Sequence, residues 1–160
     1  MPSITKGPLI PSMGVMAMKA AGGALKKLKK ARAAKKRKKV AEDFYKKAGW
    51  PQARIDSHLE GIDFSKKVDV ITLPKGTTVV QYQVPGKPVG NYFAPPGTQA
   101  TNLGINPEGR TPTSLTATQN VQVLRSTASA PIDTWSIPRK PFQTQGGGTQ
   151  YFAPNPSVFQ

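Results

Sequence analysis

Gln143-Thr144-Gln145-Gly146-Gly147-Gly148-Thr149-Gln150-Tyr151-Phe152 is the stretch on which the reading of this chain turns. Three consecutive glycines let backbone come close to a ligand or to another strand with no Cβ in the way. They run directly into Thr149 to Phe152, a short β-favouring segment carrying one neutral amide, Gln150. Composition alone also allows a flexible loop before a terminal strand, because an isolated glycine run specifies little. The decision rests on whether the rest of the chain is built from short strands.

Upstream of the run it is. Sixteen Pro and 15 Gly in 160 residues favour short strands joined by turns, and argue against long helices after residue 60. Val68, Val70 and Thr72 alternate with Asp69 and Ile71; Leu73-Pro74-Lys75-Gly76 turns the chain, and Thr77 to Val84 forms the next strand. In that strand Val80, Tyr82 and Val84 share one face while Val79, Gln81 and Gln83 share the other. The two amides either line a cleft or make the solvent face. Gly90-Asn91-Tyr92-Phe93 then sets two aromatics before the rigid turn Ala94-Pro95-Pro96-Gly97-Thr98, where they suit either stacking on a flat ligand ring or packing in the core. Residues 99–118 are polar and rich in turn formers, and read as a long excursion over the sheet. Val121 to Thr127 is the next strand. Its far end carries Arg125, Ser126 and Thr127, a guanidinium beside two hydroxyls that suits a ribose or pyrophosphate. Asp133 follows; it and Glu108 are the two acids beyond residue 69.

The N-terminal part is different in kind. Of the 23 Lys and Arg, 17 lie in residues 1–69, and ten of these fall between Lys26 and Lys39 with no acid among them, giving most of the net charge of +15. Ala24 onward consists of good helix formers, but the apolar stripe Leu25, Leu28, Ala31 is too thin to bury much. The run reads as a solvated basic arm, or as a contact for anionic lipid, nucleic acid or an acidic partner. Residues 1–23 have Pro and Gly at both ends and no sustained period, and read as a linker. From Val40 the pattern changes: Val40, Ala41, Phe44, Tyr45 and Ala48 recur at helical spacing, so this segment should dock on the domain and end at Gly49. Trp50-Pro51 opens a short helix with Ile55 and Leu59 one turn apart, closed by Gly61. Asp56, His58, Glu60 and Asp63 on it have no metal-ligand spacing and read as surface positions, so no metal is assigned.

The chain has no cysteine, which excludes a disulfide scaffold and a cysteine metal site. No run approaches the ~20 apolar residues of a membrane span. Gly7 to Met18 is apolar, but dense positive charge follows where a translocated segment would start, so export by a leader there is not expected. The expectation is one folded unit of ordinary size, with residues 1–39 a basic linker and arm and residues 40–160 the domain.

The segments from His58 to Phe152, namely HLEGIDFS, VVQYQ, GNYFAPPGT, LGI, VLRST, DTWS and GGGTQYF, resemble the bacterial toxin domains classed as polymorphic toxin type 46. More distantly, they resemble the tuberculosis necrotizing toxin family of NAD glycohydrolases. The resemblance implies an α+β fold, N-terminal helices followed by an ADP-ribosyltransferase-like split antiparallel β-fold, that cleaves the N-glycosidic bond of NAD(P). NAD(P) would be the substrate, with no further cofactor. It further implies an effector delivered by a type VI or related system into the target bacterial cytoplasm, with a secretion-system carrier protein and a cognate immunity protein that the basic surface would make acidic. Gln150 matches the glutamine of the GGGTQ motif and is the implied catalytic residue; Gln81, Gln83, Tyr92, Phe93, Arg125, Ser126, Thr127, Gly147 and Gly148 are expected along the bound dinucleotide. The relatives' arginine-bearing strand aligns with Gln81-Tyr82-Gln83, which leaves Arg125 or Arg139 to hold the pyrophosphate. Asp133 is the candidate for a catalytic carboxylate. Two other functions fit the residues: ADP-ribosyl transfer to RNA or protein, and non-enzymatic binding of nucleic acid by the basic arm.

Overall fold

The computed structural model describes residues 11–160, with side chains from Gly22 onward. The part of the expected linker in residues 1–10 lies outside the described residues. The remainder of that linker corrects the reading: α1 runs without a break over Pro11–Lys47 and takes in the basic run and the apolar turns after it. Ala, Leu, Lys and Arg all propagate a helix well, so Gly22 and Gly23 do not interrupt it. Near its end Lys39 pairs with Asp43 one turn away at 3.3 Å. Leu25 and Leu28 are half exposed, as a thin stripe should be. Ala41, Phe44 and Tyr45 are buried, and this last part of α1 docks as expected, whereas Val40 stays at the surface. Gly49 takes a φ of +89°, which allows the reversal into α2, Gln52–Leu59.

The rest is antiparallel. Strands β1 (Asp69–Leu73), β5 (Val121–Thr127), β8 (Thr149–Phe152) and β3 (Tyr92–Phe93) form a four-stranded sheet in the order β1-β5-β8-β3. β2 (Thr78–Gln83) pairs with β4 (Thr111–Thr116), and β6 (Ile132–Asp133) pairs with β7 (Phe142–Gln143). The two larger sheets meet at Val80 and Ala94, whose backbones exchange hydrogen bonds of 2.8 and 2.9 Å. The α+β class and the antiparallel pairing are as the sequence implied. The excursion over 99–118 is not only loop, because its second half is β4. Thr111, Thr113, Leu115 and Thr116 suit a strand, and Pro112 is tolerated because β4 has β2 on one side only, which leaves it an edge strand.

Strand alternation divides the core in two. Leu124 and Phe152 face the helices and pack with Tyr45, Ile55, Leu59 and Ile62. Val123 faces the other way, toward Val79, Phe93, Val158 and Phe159. The same alternation puts Ser126 and Gln150 on the helix side of the sheet, directly opposite each other across β5 and β8.

Candidate active site

A cleft of about 740 Å³ opens among the end of α2, strand β2, the 87–93 segment, the loop before Arg110 and the turn at 131–135. That volume lies within the ~300–1,000 Å³ of small-molecule sites. Gln150 reaches it from the sheet. Its Nε2 donates to the Gly61 carbonyl at 3.2 Å and to Ser126 Oγ at 3.1 Å. A carbonyl can only accept, so the atom facing Gly61 must be the nitrogen, which turns Oε1 the other way. Among the described residues Oε1 has no hydrogen-bond partner. The site therefore holds a buried amide with its donor committed to the protein and its acceptor left over.

The amide face of β2 turns out to be cleft wall and not solvent face. Gln81 is buried, and its Nε2 donates to Gly90 O at 2.9 Å and Tyr92 O at 2.8 Å, while Gln83 Nε2 donates to Gln81 Oε1 at 3.0 Å. Gln81 thereby fastens the 90–92 segment to β2. Of the two aromatics there, Phe93 is buried against Phe159 with ring centres 4.3 Å apart, so it packs the core, and Tyr92 stacks on His58 at 5.5 Å and 4°.

His58 corrects the surface reading of α2. It lines the cleft, sits 4.5 Å from the Trp50 ring, and its Nδ1 lies 2.9 Å from Tyr92 Oη. The sequence signal was present but indirect: Ile55 and Leu59 flank His58 on the docked side of a helix. Burial, with the Arg54 charge assisting, pushes the imidazole below its usual pKa. A base held neutral by folding is more easily protonated when unfolded, so stability is complete above the unfolded value near 6.5 and is lost as pH falls through the lower folded value. The thermal midpoint should accordingly drop on acidification below about pH 6.5. His58→Gln should flatten that part of the profile; a variant with the wild-type slope would place the titrating group elsewhere.

Arg110 was missed, because it follows Gly109 in an irregular loop where no periodicity marks it. It lines the cleft with Nη1 toward Tyr82 O at 3.3 Å and Nη2 toward Ser136 Oγ at 3.0 Å, and its Nε is buried without a partner. Ser136 Oγ in turn donates to Asp133 Oδ2 at 2.6 Å. Asp133 also accepts from the backbone N–H groups of Asn106, Trp135 and Ser136. Burial raises its pKa, but these hydrogen bonds outweigh it and hold the carboxyl below its usual range. The carboxylate thus ties the 133–136 turn together, placing Thr134 and the exposed Trp135 at the cleft while lying behind it.

Gln150, Gln81, Gln83, Tyr92 and Phe93 are brought together along the cleft. Arg125, Ser126, Thr127, Gly147 and Gly148 are not among its lining residues. Arg125 points to the far face of β5 and forms a two-point pair with Asp69 at 2.9 and 2.7 Å, and Thr127 shares that face. Ser126 lies behind Gln150 as its hydrogen-bond partner. The glycine run approaches backbone: Gly147 N donates to Ala128 O and Gly148 N to Asn102 O, each at 2.8 Å. Arg139 is exposed, with a φ of +62°. Among the described residues no group of three or more His, Cys, Asp and Glu is placed to hold a metal.

A family model for bacterial toxin 46 matches residues 19–159. The NAD(P)(+) glycohydrolase toxin Tse6 of Pseudomonas aeruginosa is 37% identical over 127 residues, which is 72% of this chain and 30% of that protein. The chain thus spans less than a third of the length of that relative. A solved structure of Tse6 in complex with Tsi6 superposes with a TM-score of 0.68 at 35% identity, over 79% of this chain and 94% of the Tse6 chain.

Proposed function

The chain belongs to the bacterial toxin 46 family, and from that premise we propose that it is an NAD(P) glycohydrolase, hydrolysing the dinucleotide to nicotinamide and ADP-ribose or its phosphate. The observation that carries this is Gln150: a buried amide on the cleft, with Nε2 fixed by Gly61 and Ser126 and Oε1 unclaimed. In the reaction the bond between the ribose C1′ and the nicotinamide nitrogen breaks, and the bonding pair leaves with the ring, which becomes neutral. Water adds to C1′ and loses its proton. Positive charge gathers on the ribose as the bond opens. An amide oxygen that accepts from a ribose hydroxyl holds the sugar in place and presents the negative end of its dipole to that charge. Gln150 cannot take the proton from water. Glu60 is the one carboxylate on the cleft among the described residues, and it is exposed enough to pass that proton to solvent.

Arg110 and Lys87 supply the positive charge on the cleft wall for the phosphates. Asp133 is then a positioning residue, acting through Ser136 on Arg110 and through its turn on Trp135, whose exposed face suits a base. Arg110→Ala should raise KM by about 10–100-fold and change kcat less, since it removes binding shared by substrate and transition state. Equal loss in kcat would place Arg110 in the chemistry. Incubation with ring-labelled and adenine-labelled NAD tests the reaction class: free nicotinamide and free ADP-ribose support hydrolysis, and label retained on RNA or protein identifies a transferase.

We read the action as that of a secreted effector in the cytoplasm of a target bacterium, carried by a secretion-system protein and held inactive in its producer by a cognate inhibitor. The net charge of +15 favours an acidic inhibitor that associates quickly through steering. The basic arm, residues 1–39, serves such contacts or anionic lipid or nucleic acid, while residues 40–160 bind NAD(P). Removal of residues 1–39 should leave turnover within about tenfold, or ~1.4 kcal/mol of transition-state stabilisation. A loss of several orders of magnitude in a folded truncate would assign the arm to the active site, where the Arg37 hydrogen bond to Phe64 O at 3.0 Å would be its route.

A further inference from the structure

Three polar groups of the helix-side core form a chain that ends at the cleft. Tyr45 Oη, on α1, lies 2.7 Å from Tyr92 Oη, and Tyr92 Oη lies 2.9 Å from His58 Nδ1. Each tyrosine has one proton to give, and neutral His58 carries one on either ring nitrogen. If His58 Nδ1–H donated to Tyr92, then Tyr92 or Tyr45 would be left with a proton and no acceptor. Tyr45 is fully buried and has no other polar partner among the described residues. One arrangement satisfies both buried hydroxyls: Tyr45 donates to Tyr92, Tyr92 donates to His58 Nδ1, and the imidazole proton sits on Nε2.

We propose that Tyr45 and Tyr92 are positioning residues that lock His58 as the Nε2–H tautomer, so that the cleft wall offers the substrate a hydrogen-bond donor and not an acceptor. The lock reaches the substrate site because His58 lines the same cleft as Gln150, and Gly61 ties their two elements together: its N donates to His58 O at 3.1 Å, and its O accepts from Gln150. The donor and the leftover acceptor Oε1 thus belong to two residues that line one cleft, a pair suited to the hydroxyl and ring-side oxygens of a nicotinamide riboside. That last step rests on the glycohydrolase reading; the tautomer does not.

The surroundings favour the neutral form. The charged and titratable groups that face His58 are Arg54 on its own helix, Tyr45 from α1 and Tyr92 from β3, with Glu60 two residues on. Burial pushes the Tyr45 phenol up to about 12 and raises the Tyr92 phenol well above its usual value, so both keep their protons. Protonating His58 would place a second donor against Tyr92 and a cation near Arg54, breaking the chain.

The chain has one histidine, so its imidazole signals in a long-range proton–nitrogen NMR spectrum need no assignment. At pH 7.5, the wild type should show Nε2 protonated and Nδ1 bare. Tyr45→Phe, which keeps the ring packing, should show a mixed tautomer, and kcat/KM for NAD should fall by about tenfold; Tyr92→Phe should do the same. Adding ADP-ribose should shift the Nε2 resonance of the wild type. An Nδ1–H signal in the wild type, or a Tyr45→Phe protein with an unmixed Nε2–H signal, overturns the lock. Absence of NAD turnover in a wild type that shows the Nε2–H tautomer counts against the glycohydrolase reading and leaves the lock standing.

Discussion

Gln150→Ala should lower NAD(P) turnover by about 10²–10³-fold, the loss typical of removing one preorganised dipole aimed at developing charge. The fall should lie in kcat more than KM, because Oε1 meets a charge that grows only as the glycosidic bond opens. The substitution also leaves Gly61 O and Ser126 Oγ without their donor, at a cost of ~1–3 kcal/mol in stability, so circular dichroism should confirm a folded variant. Gln150→Glu separates shape from chemistry. A carboxylate would face the Gly61 carbonyl, acceptor against acceptor, so its pKa should rise from the usual carboxylate range, and only its protonated form can donate as Nε2 does. Activity of Gln150→Glu should accordingly be low at neutral pH and recover on mild acidification. Full activity at pH 7.5 would mean that Nε2 is not held as the geometry has it.

The largest effect on stability is expected at Gly146. Its φ of +65° disfavours any side chain, and a Cβ there would lie 2.5 Å from Ser129 O, 2.7 Å from its carbonyl carbon and 2.9 Å from Ala130 N. The left-handed backbone costs ~1–2 kcal/mol for a residue other than glycine, and rigid backbone cannot yield as a side-chain tip would. Gly146→Ala should destabilise by about 3–5 kcal/mol, a large share of the ~5–15 kcal/mol of an ordinary domain, and lower the thermal midpoint by roughly 10 °C. Gly147 is the control. It has a φ of +84° but nothing within 4 Å of a built Cβ, so Gly147→Ala should lose only the backbone term. Equal losses at the two positions would show that clash does not set the cost.

These two residues also show what was legible in the sequence. The glycine run and its glutamine could be seen at once, because glycine reports a backbone demand that few other signals mimic. What the run approaches could not be seen: Gly147 and Gly148 meet Ala128 and Asn102, residues distant in sequence. The alternation of Val79, Gln81 and Gln83 fixed which residues share a face, but a period of two does not say which face meets solvent. Arg125 was attractive beside Ser126, yet neighbours in a strand point opposite ways, and it is Asp69 on β1 that claims the guanidinium. Arg110 sits in a loop and Asp133 ends the two-residue strand β6, and tertiary hydrogen bonds set the course of both, so neither the cationic wall nor the turn beneath it left a local signature. His58 was read from the absence of a metal pattern, when the informative fact was the apolar pair Ile55 and Leu59 that seats its helix. The helix expected from Ala24 onward is there, but its start over residues 11–23 passed unrecognised because two glycines and a mixed apolar run offer no period, while propensity summed over the whole segment favours it.

The most direct measurement is the time course of nicotinamide release from NAD by the full chain, followed by chromatography beside Gln150→Ala at matched concentration. Stoichiometric nicotinamide and ADP-ribose from the wild type, with the variant slower by at least about a hundredfold, is the expected result. Intact NAD after prolonged incubation with folded wild type, or equal release by the variant, would contradict a hydrolytic cleft built on Gln150.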